Sequence, residues 1–261
     1  MIGMNNDARL ATTGLQLRIG EKLLVRDLSA EFCGGQNWAI LGANGSGKTT
    51  LLHTLAGLRP TTGGDIHLDG APLAACSRRE RARRLGLLLQ DSPHAFPAMV
   101  LDIVLSGRHP WLGRWQPEGE EDFRFAGAAL ASTGLAGFER RNLSTLSGGE
   151  RRRVEIAALL TQDAPINLLD EPVNHLDPRF QHQLLGDLCR RAERPGHLNL
   201  MVLHDINLAV RFCSHGLLLL PGGETVHGPL DSLLDPIILE RLYGCPMRAV
   251  GEGRGRLYAP A

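Results

Sequence analysis

The chain has 261 residues, 43% of them hydrophobic, which suffices for one large α/β core or a core carrying an inserted subdomain. Lys plus Arg and Asp plus Glu each number 28, so the formal charge is zero; with only 5% aromatics this argues against a generally basic nucleic-acid binder and against a stacking platform for single strands. Cys33, Cys76, Cys189, Cys213 and Cys245 form no C-x-x-C and read as reduced, mostly buried thiols of a cytoplasmic protein rather than a disulfide frame or a zinc site.

Residues 1–7 lack the basic and apolar regions of a signal peptide, and no stretch approaches the roughly 18 apolar residues of a membrane span. Residues 10–32 predict antiparallel β: Leu15, Leu17 and Ile19 alternate, and Gly20-Glu21-Lys22 turns the chain. Residues 37–41 read as a short buried strand, and residues 49–56 have helical spacing of apolar side chains. Between them lie Gly42, Ala43, Asn44, Gly45, Ser46, Gly47, Lys48, Thr49 and Thr50. Strand, glycine loop and helix in that order make a P-loop in its required context. Its glycines let backbone N–H groups converge on phosphate oxygens, and the helix N-terminus adds free donors and a favourable dipole. Lys48 is placed for β- and γ-phosphates, and the Thr49 hydroxyl for Mg²⁺.

Residues 65–70 predict a strand ending in an Asp-Gly turn. Residues 77–84, S-R-R-E-R-A-R-R, read as a solvated helix face with Glu80 pairing locally with arginines; a nucleic-acid patch is the competing reading. Residues 85–89 form a buried strand that ends at Gln90. From residue 91 to 163 the β pattern disappears, which predicts a helical insertion. Strands return at 166–169 and 198–203 with a helix over 181–192 between them, as a parallel sheet requires. The tail from residue 230 reads as short helices.

Two further segments carry chemistry. The apolar strand 166–169 runs into Asp170 and Glu171, two acids at a strand C-terminus where a parallel sheet binds ligands. Asp170 can accept from Mg²⁺ waters, and Glu171 can act as general base toward an attacking water. Asn167 interrupts that strand and needs a hydrogen-bond partner if buried. Ser147, Gly148, Gly149 and Glu150 open a strongly helical run, a second possible anion cradle.

The order P-loop, Gln90, L-S-G-G-E at 146–150, L-L-D-E-P at 168–172, H-L-D at 175–177 and V-L-H-D at 202–205 resembles the ATP-binding cassette ATPases of ABC transporters over nearly the whole chain. That resemblance implies a P-loop NTPase α/β core with an N-terminal antiparallel β subdomain and an inserted helical subdomain. Residues 1–90 and 164–261 would be the core, and residues 91–163 the helical signature subdomain. It further implies ATP and Mg²⁺ as ligands and a head-to-tail homodimer, with Ser147, Gly148, Gly149 and Glu150 meeting the nucleotide held by the opposite copy. Glu171 would be the general base, Asp170 the Mg²⁺-side acid, and Gln90 a contact to Mg²⁺ and water that relays to a transmembrane permease. Asp177 would belong to the loop crossing the dimer interface, and His204 would bond the γ-phosphate.

Ile19 stands where the family usually stacks an aromatic on adenine, and Val173 where Thr is usual. The stretch 100–115, with Gly107-Arg108-His109-Pro110, resembles importer ATPases for ferric siderophores, haem and cobalamin. In such importers a periplasmic binding protein and the permease handle the cargo, and the ATPase sits peripherally on the cytoplasmic face of the inner membrane. Trp111 and Trp115 either contact the permease or pack the helical subdomain. A soluble, non-transport nucleotide switch is the alternative class; the single cassette and neutral charge disfavour it.

Overall fold

The computed structural model describes residues 9–90, 98–251 and 256–261. The reading of residues 1–7 and the expected start of the helical insertion at residue 91 lie outside these.

Strand β1 (Arg9–Ile19) pairs antiparallel with β2 (Lys22–Cys33) across the Gly20 turn, where φ is +56°. β1 also pairs with β4 (Gly63–Leu68), which pairs with the short β5 (Ala71–Pro72), giving an antiparallel sheet ordered β2-β1-β4-β5. Leu15, Leu17, Leu28 and Phe32 turn to its buried side.

The second sheet contains β3 (Asn37–Gly42), β6 (Leu85–Leu88), β7 (Ile166–Asp170), β8 (Leu198–Val202), β9 (His215–Leu219) and β10 (Thr225–Pro229), in the order β10-β9-β3-β8-β7-β6. All pairings are parallel except that of the edge strand β10. β3, β7 and β8 are buried along their whole length, because both faces of a parallel sheet are covered. Alternation then divides the core. Trp38 and Ile40 pack with Leu51, Leu52 and Leu55 of helix α1 (Lys48–Leu55) and with the antiparallel sheet. Ala39 and Leu41 face the opposite cluster, with Leu184, Leu185 and Leu188 of α6 (Pro178–Ala192) and Ala209 of α7 (Ile206–Phe212).

Asn167 finds its partner inside this sheet. Its Nδ2 donates to Asn199 Oδ1 at 3.0 Å, and Asn199 Nδ2 donates to Asn37 Oδ1 at 2.8 Å and to Leu188 O at 2.8 Å. The three asparagines occupy facing register positions on β7, β8 and β3. Burial of each amide is thus matched by a hydrogen bond to its neighbour.

Helix α2 (Arg78–Arg84) departs from the local-pairing expectation. Glu80 closes a capping box with Ser77, and the arginines reach away from it. Arg79 and Arg83 donate to Pro110 O at 2.9 and 2.8 Å, Arg81 to Gly57 O at 2.9 Å, and Arg84 pairs with Asp69. Trp111, with Arg83 and Arg108 over its ring, donates from Nε1 to Gln162 O at 2.8 Å, whereas Trp115 is 89% exposed.

Between β6 and β7 the chain forms α3 (Val100–Leu105), α4 (Glu120–Ser132) and α5 (Gly148–Gln162), which pack on one another. The Gly107-Arg108 pair has a packing reason here. A Cβ at Gly107 would lie 2.2 Å from Ala158 O, and buried Arg108 donates to Asp122 at 2.8 Å and to Thr161 O at 3.1 Å. The Gly119 N–H first, and then Arg108, hold the Asp122 carboxyl below the usual carboxylate range.

The tail differs in part from the expected short helices. α8 (Leu230–Leu233) and α9 (Pro236–Tyr243) are present, but β11 (Met247–Val250) and β12 (Leu257–Pro260) then form an antiparallel pair. The five cysteines are free thiols and all are largely, though not fully, buried.

Candidate functional site: a cleft at the ends of the parallel strands

The loop between β3 and α1 forms one wall of a cleft of about 790 Å³. Glycine is required at several of its positions. Gly45 and Gly47 have φ of +73° and +103°, and a Cβ on Gly42 would lie 2.5 Å from Ser46 Oγ and 3.0 Å from Leu219 O. Ser46 N donates to Ala43 O at 3.1 Å and closes the turn. Lys48 Nζ bonds back to Gly42 O at 2.8 Å and Ala43 O at 3.0 Å, so its ammonium is held inside the loop. Burial pushes the Lys48 amine below its ordinary value, while Glu171 and Asp170 oppose that shift. Asn44, Thr49 and Thr50 also line the cleft.

Three further strand ends supply the other wall. Gln90 follows β6, Glu171 follows β7 and His204 follows β8, and all three line the same cleft. Gln90 Nε2 donates to Glu171 Oε2 at 3.2 Å. His204 Nε2 lies 2.5 Å from Glu171 Oε1, within hydrogen-bond distance. Asn174 Nδ2 also donates to Glu171 Oε2. Glu171 has a φ of +48°, uncommon for a non-glycine residue, and is 7% exposed.

Asp170 is fully buried, and neither carboxylate oxygen has a hydrogen-bond donor in bonding geometry. Burial pushes its carboxyl above the usual range, with the Thr49 side chain beside it acting in the other direction. A buried, undonated carboxylate next to a hydroxyl at the end of a P-loop is a site suited to a hard cation.

The cleft does not include Ser147, Gly148, Gly149, Glu150 or Asp177. These stand at two helix N-termini elsewhere. Ser147 caps α5 in a capping box with Glu150: Ser147 N and Oγ both donate to Glu150 Oε2 at 2.8 Å. Hydrogen bonds from Ser147 lower the Glu150 carboxyl. A Cβ on Gly148 would meet nothing within 4 Å, so packing within this chain does not demand glycine there. Asp177 caps α6 and accepts from Phe180 N at 3.0 Å.

Ile19 lies at the cleft rim, 49% exposed, beside Lys22 and Leu24. Lys22, which the motif reading passed over, donates to Gly45 O at 2.8 Å. Asn174 was also passed over, as was Arg152, which reaches the backbone of both Gln90 and Glu171. Arg152 is hidden in a run of three arginines, where only helical phase separates a buried side chain from its neighbours.

Comparisons with known proteins agree with this architecture. The family model described as ABC transporter matches residues 25–174. The chain is 37% identical to the hemin import ATP-binding protein HmuV of Streptomyces coelicolor, covering 94% of this chain and 86% of that protein. It is 36% identical to the ferric enterobactin transport ATP-binding protein FepC of Escherichia coli K12, covering 91% and 88%. Against the petrobactin import ATP-binding protein FpuD of Bacillus anthracis the identity is 34%, covering 95% and 94%. A solved ABC transporter described as metal-chelate type, in an inward-facing conformation, superposes with a TM-score of 0.83 at 25% identity and covers 98% of each chain. This chain belongs to the ABC transporter family.

Proposed function

We propose that this chain is the ATP-hydrolysing subunit of a membrane importer for a metal chelate of the haem or ferric-siderophore kind. One observation carries the reading. Gln90, Glu171 and His204 converge on a P-loop cleft in a chain whose relatives over nine-tenths of its length are named as hemin or petrobactin import and ferric enterobactin transport ATP-binding proteins. Cobalamin belongs to the same chemical class of cargo.

Lys48 and the loop N–H groups hold the β- and γ-phosphates of ATP, and Ile19 offers the base an apolar edge in place of an aromatic face. Thr49, Asp170 and Gln90 would hold Mg²⁺, which neutralises phosphate charge when bound; the undonated oxygens of Asp170 fit that role. Glu171 takes a proton from the attacking water. The water oxygen bonds to the γ-phosphorus, the bond to the β-phosphate bridging oxygen breaks, and its electron pair leaves on ADP. His204, which lies against Glu171, donates to the γ-phosphate when ATP is bound.

Two copies bind head to tail. Ser147, Gly148, Gly149 and Glu150 of one copy close on the nucleotide of the other, and Asp177 lies at the crossing. Residues 91–163 form the arm that carries this segment, against a core of residues 1–90 and 164–261. Closure on ATP and opening after hydrolysis drive a transmembrane permease, with a periplasmic binding protein delivering cargo. The described residues contain no helix long and apolar enough to cross a membrane. In this reading the subunit sits peripherally on the cytoplasmic face of the inner membrane, attached through the permease.

The test is ATP turnover after reconstitution with the permease encoded beside it, with loaded binding proteins for haem, ferric siderophores and cobalamin. Stimulation by one of them is expected. Turnover that no loaded binding protein alters would contradict the importer assignment.

A further inference from the structure

Arg152 lies on the second turn of α5, the helix whose N-terminus is Ser147-Gly148-Gly149. Three consecutive arginines begin there, and they differ sharply. Arg151 donates to Leu146 O at 3.1 Å and Ser144 O at 3.3 Å, bracing its own loop. Arg153 lies over the Phe180 ring at 5.0 Å. Arg152 is 6% exposed and points into the parallel sheet.

Its guanidinium spans two strand ends. Nη1 donates to Leu89 O at 2.6 Å and reaches Gln90 O at 3.5 Å. Nη2 donates to Asp170 O at 2.6 Å and to Glu171 O at 3.0 Å. Glu155, one turn along the same helix, pairs with Nη1 at 2.9 Å and fixes the fork. These carbonyls belong to residues at or beyond the ends of β6 and β7, where strand pairing stops. One rigid, planar donor set therefore ties the backbone of Leu89, immediately before Gln90, to that of Asp170 and Glu171. It also holds the carbonyl of Glu171, whose φ of +48° is a conformation that needs support from its surroundings.

We propose that Arg152 is a positioning residue for hydrolysis. It touches no reacting atom; it locks Gln90 and Glu171 in register with each other and with the helix that carries Ser147, Gly148 and Gly149. This rests on the reading that Glu171 is the general base. A lysine at this position keeps the charge opposite Glu155, but its single ammonium cannot fork across two strand ends.

The experiment compares Arg152→Lys, the paired apolar variant Arg152→Met with Glu155→Leu, and Glu171→Gln. A fluorescent ATP analogue measures nucleotide affinity, and phosphate release measures kcat. Replacing both charges together avoids stranding one of them in the interior, and thermal unfolding of each variant checks that the fold is kept. The expected result for Arg152→Lys is a kcat about tenfold lower with nucleotide Kd within about twofold of the unaltered protein. The paired variant should fall further, to about a hundredth, again with affinity retained. A lysine variant that hydrolyses at the unaltered rate overturns the proposal, as does loss of affinity and kcat in equal proportion. Glu171→Gln separates the two claims: if it retains full turnover, the base assignment fails, whatever Arg152 does. If it is inactive while the Arg152 variants are fully active, only the role of Arg152 fails.

Discussion

His204 Nε2 stands 2.5 Å from Glu171 Oε1, although the residues are 33 positions apart in the chain. Gln90, 81 positions before Glu171, donates to the other carboxylate oxygen. The carboxylate is thus held from two flanking strand ends. Such a carboxylate can accept a proton from a water placed against it, and its amide analogue cannot. Glu171→Gln should lower ATP turnover by about a hundredfold or more while nucleotide affinity is retained. Phosphate release and equilibrium binding, measured on the same preparation, check this; full turnover would remove Glu171 from the chemistry.

Lys48 is anchored by Gly42 and Ala43 carbonyls and faces two carboxylates. Removing its ammonium should act on ground-state binding. A charged hydrogen bond contributes about 1.5–3 kcal/mol, so Lys48→Ala should weaken nucleotide binding by about 10- to 100-fold. Titration with labelled ATP checks it, and unchanged affinity would refute a phosphate-binding role for the loop.

Ile19 is half-exposed at the rim of the cleft. Ile19→Tyr would add an aromatic face there, and a stacked aromatic pair contributes about 0.5–1.5 kcal/mol. Nucleotide Kd should tighten by about threefold to tenfold. No change would place the base elsewhere.

The asparagine ladder predicts a stability effect with no direct effect on chemistry. Asn199 is 1% exposed and bonds to Asn37, Asn167 and the Leu188 carbonyl. Asn199→Leu would leave three buried polar groups without that partner, at a cost of about 3 kcal/mol or more. Denaturant unfolding should show it, and replacing Asn37 and Asn167 by leucine in the same chain should recover part of the loss. A neutral single variant would show that the ladder contributes nothing net.

Much of this was legible in the sequence because the informative residues are contiguous. The P-loop needs a strand, its glycines and a helix in one short span, and each is visible in order. The helical insertion was legible as the loss of β alternation. What escaped notice depends on partners distant in sequence. Asn167 announced a need for a partner, but Asn199 meets it only through the β7–β8 register. The partners of Arg79, Arg81 and Arg83 on α2 are backbone carbonyls, which carry no sequence signature, so the stretch reads as a solvated face. Met247–Val250 and Leu257–Pro260 are short strands with weak alternation, so their pairing was not visible beside the helical pattern of Pro236–Tyr243. The convergence of Gln90, Glu171 and His204 was expected from family resemblance alone; local sequence does not imply it.

In the proposed head-to-tail dimer, ATP is held between the P-loop of one copy and the Ser147-Gly148-Gly149 segment of another. Gly148 offers the sharpest probe, because an added Cβ meets nothing within 4 Å in its own chain. Alanine there should leave folding intact or slightly stabilised, since alanine is the better helix former. The measurement is sedimentation of the Glu171→Gln protein with saturating MgATP, with and without Gly148→Ala. The expected result is a dimer that forms only with ATP and is lost when Gly148→Ala is added, with nucleotide affinity at the P-loop largely kept. A protein that stays monomeric with ATP, or a dimer indifferent to Gly148→Ala, would contradict it.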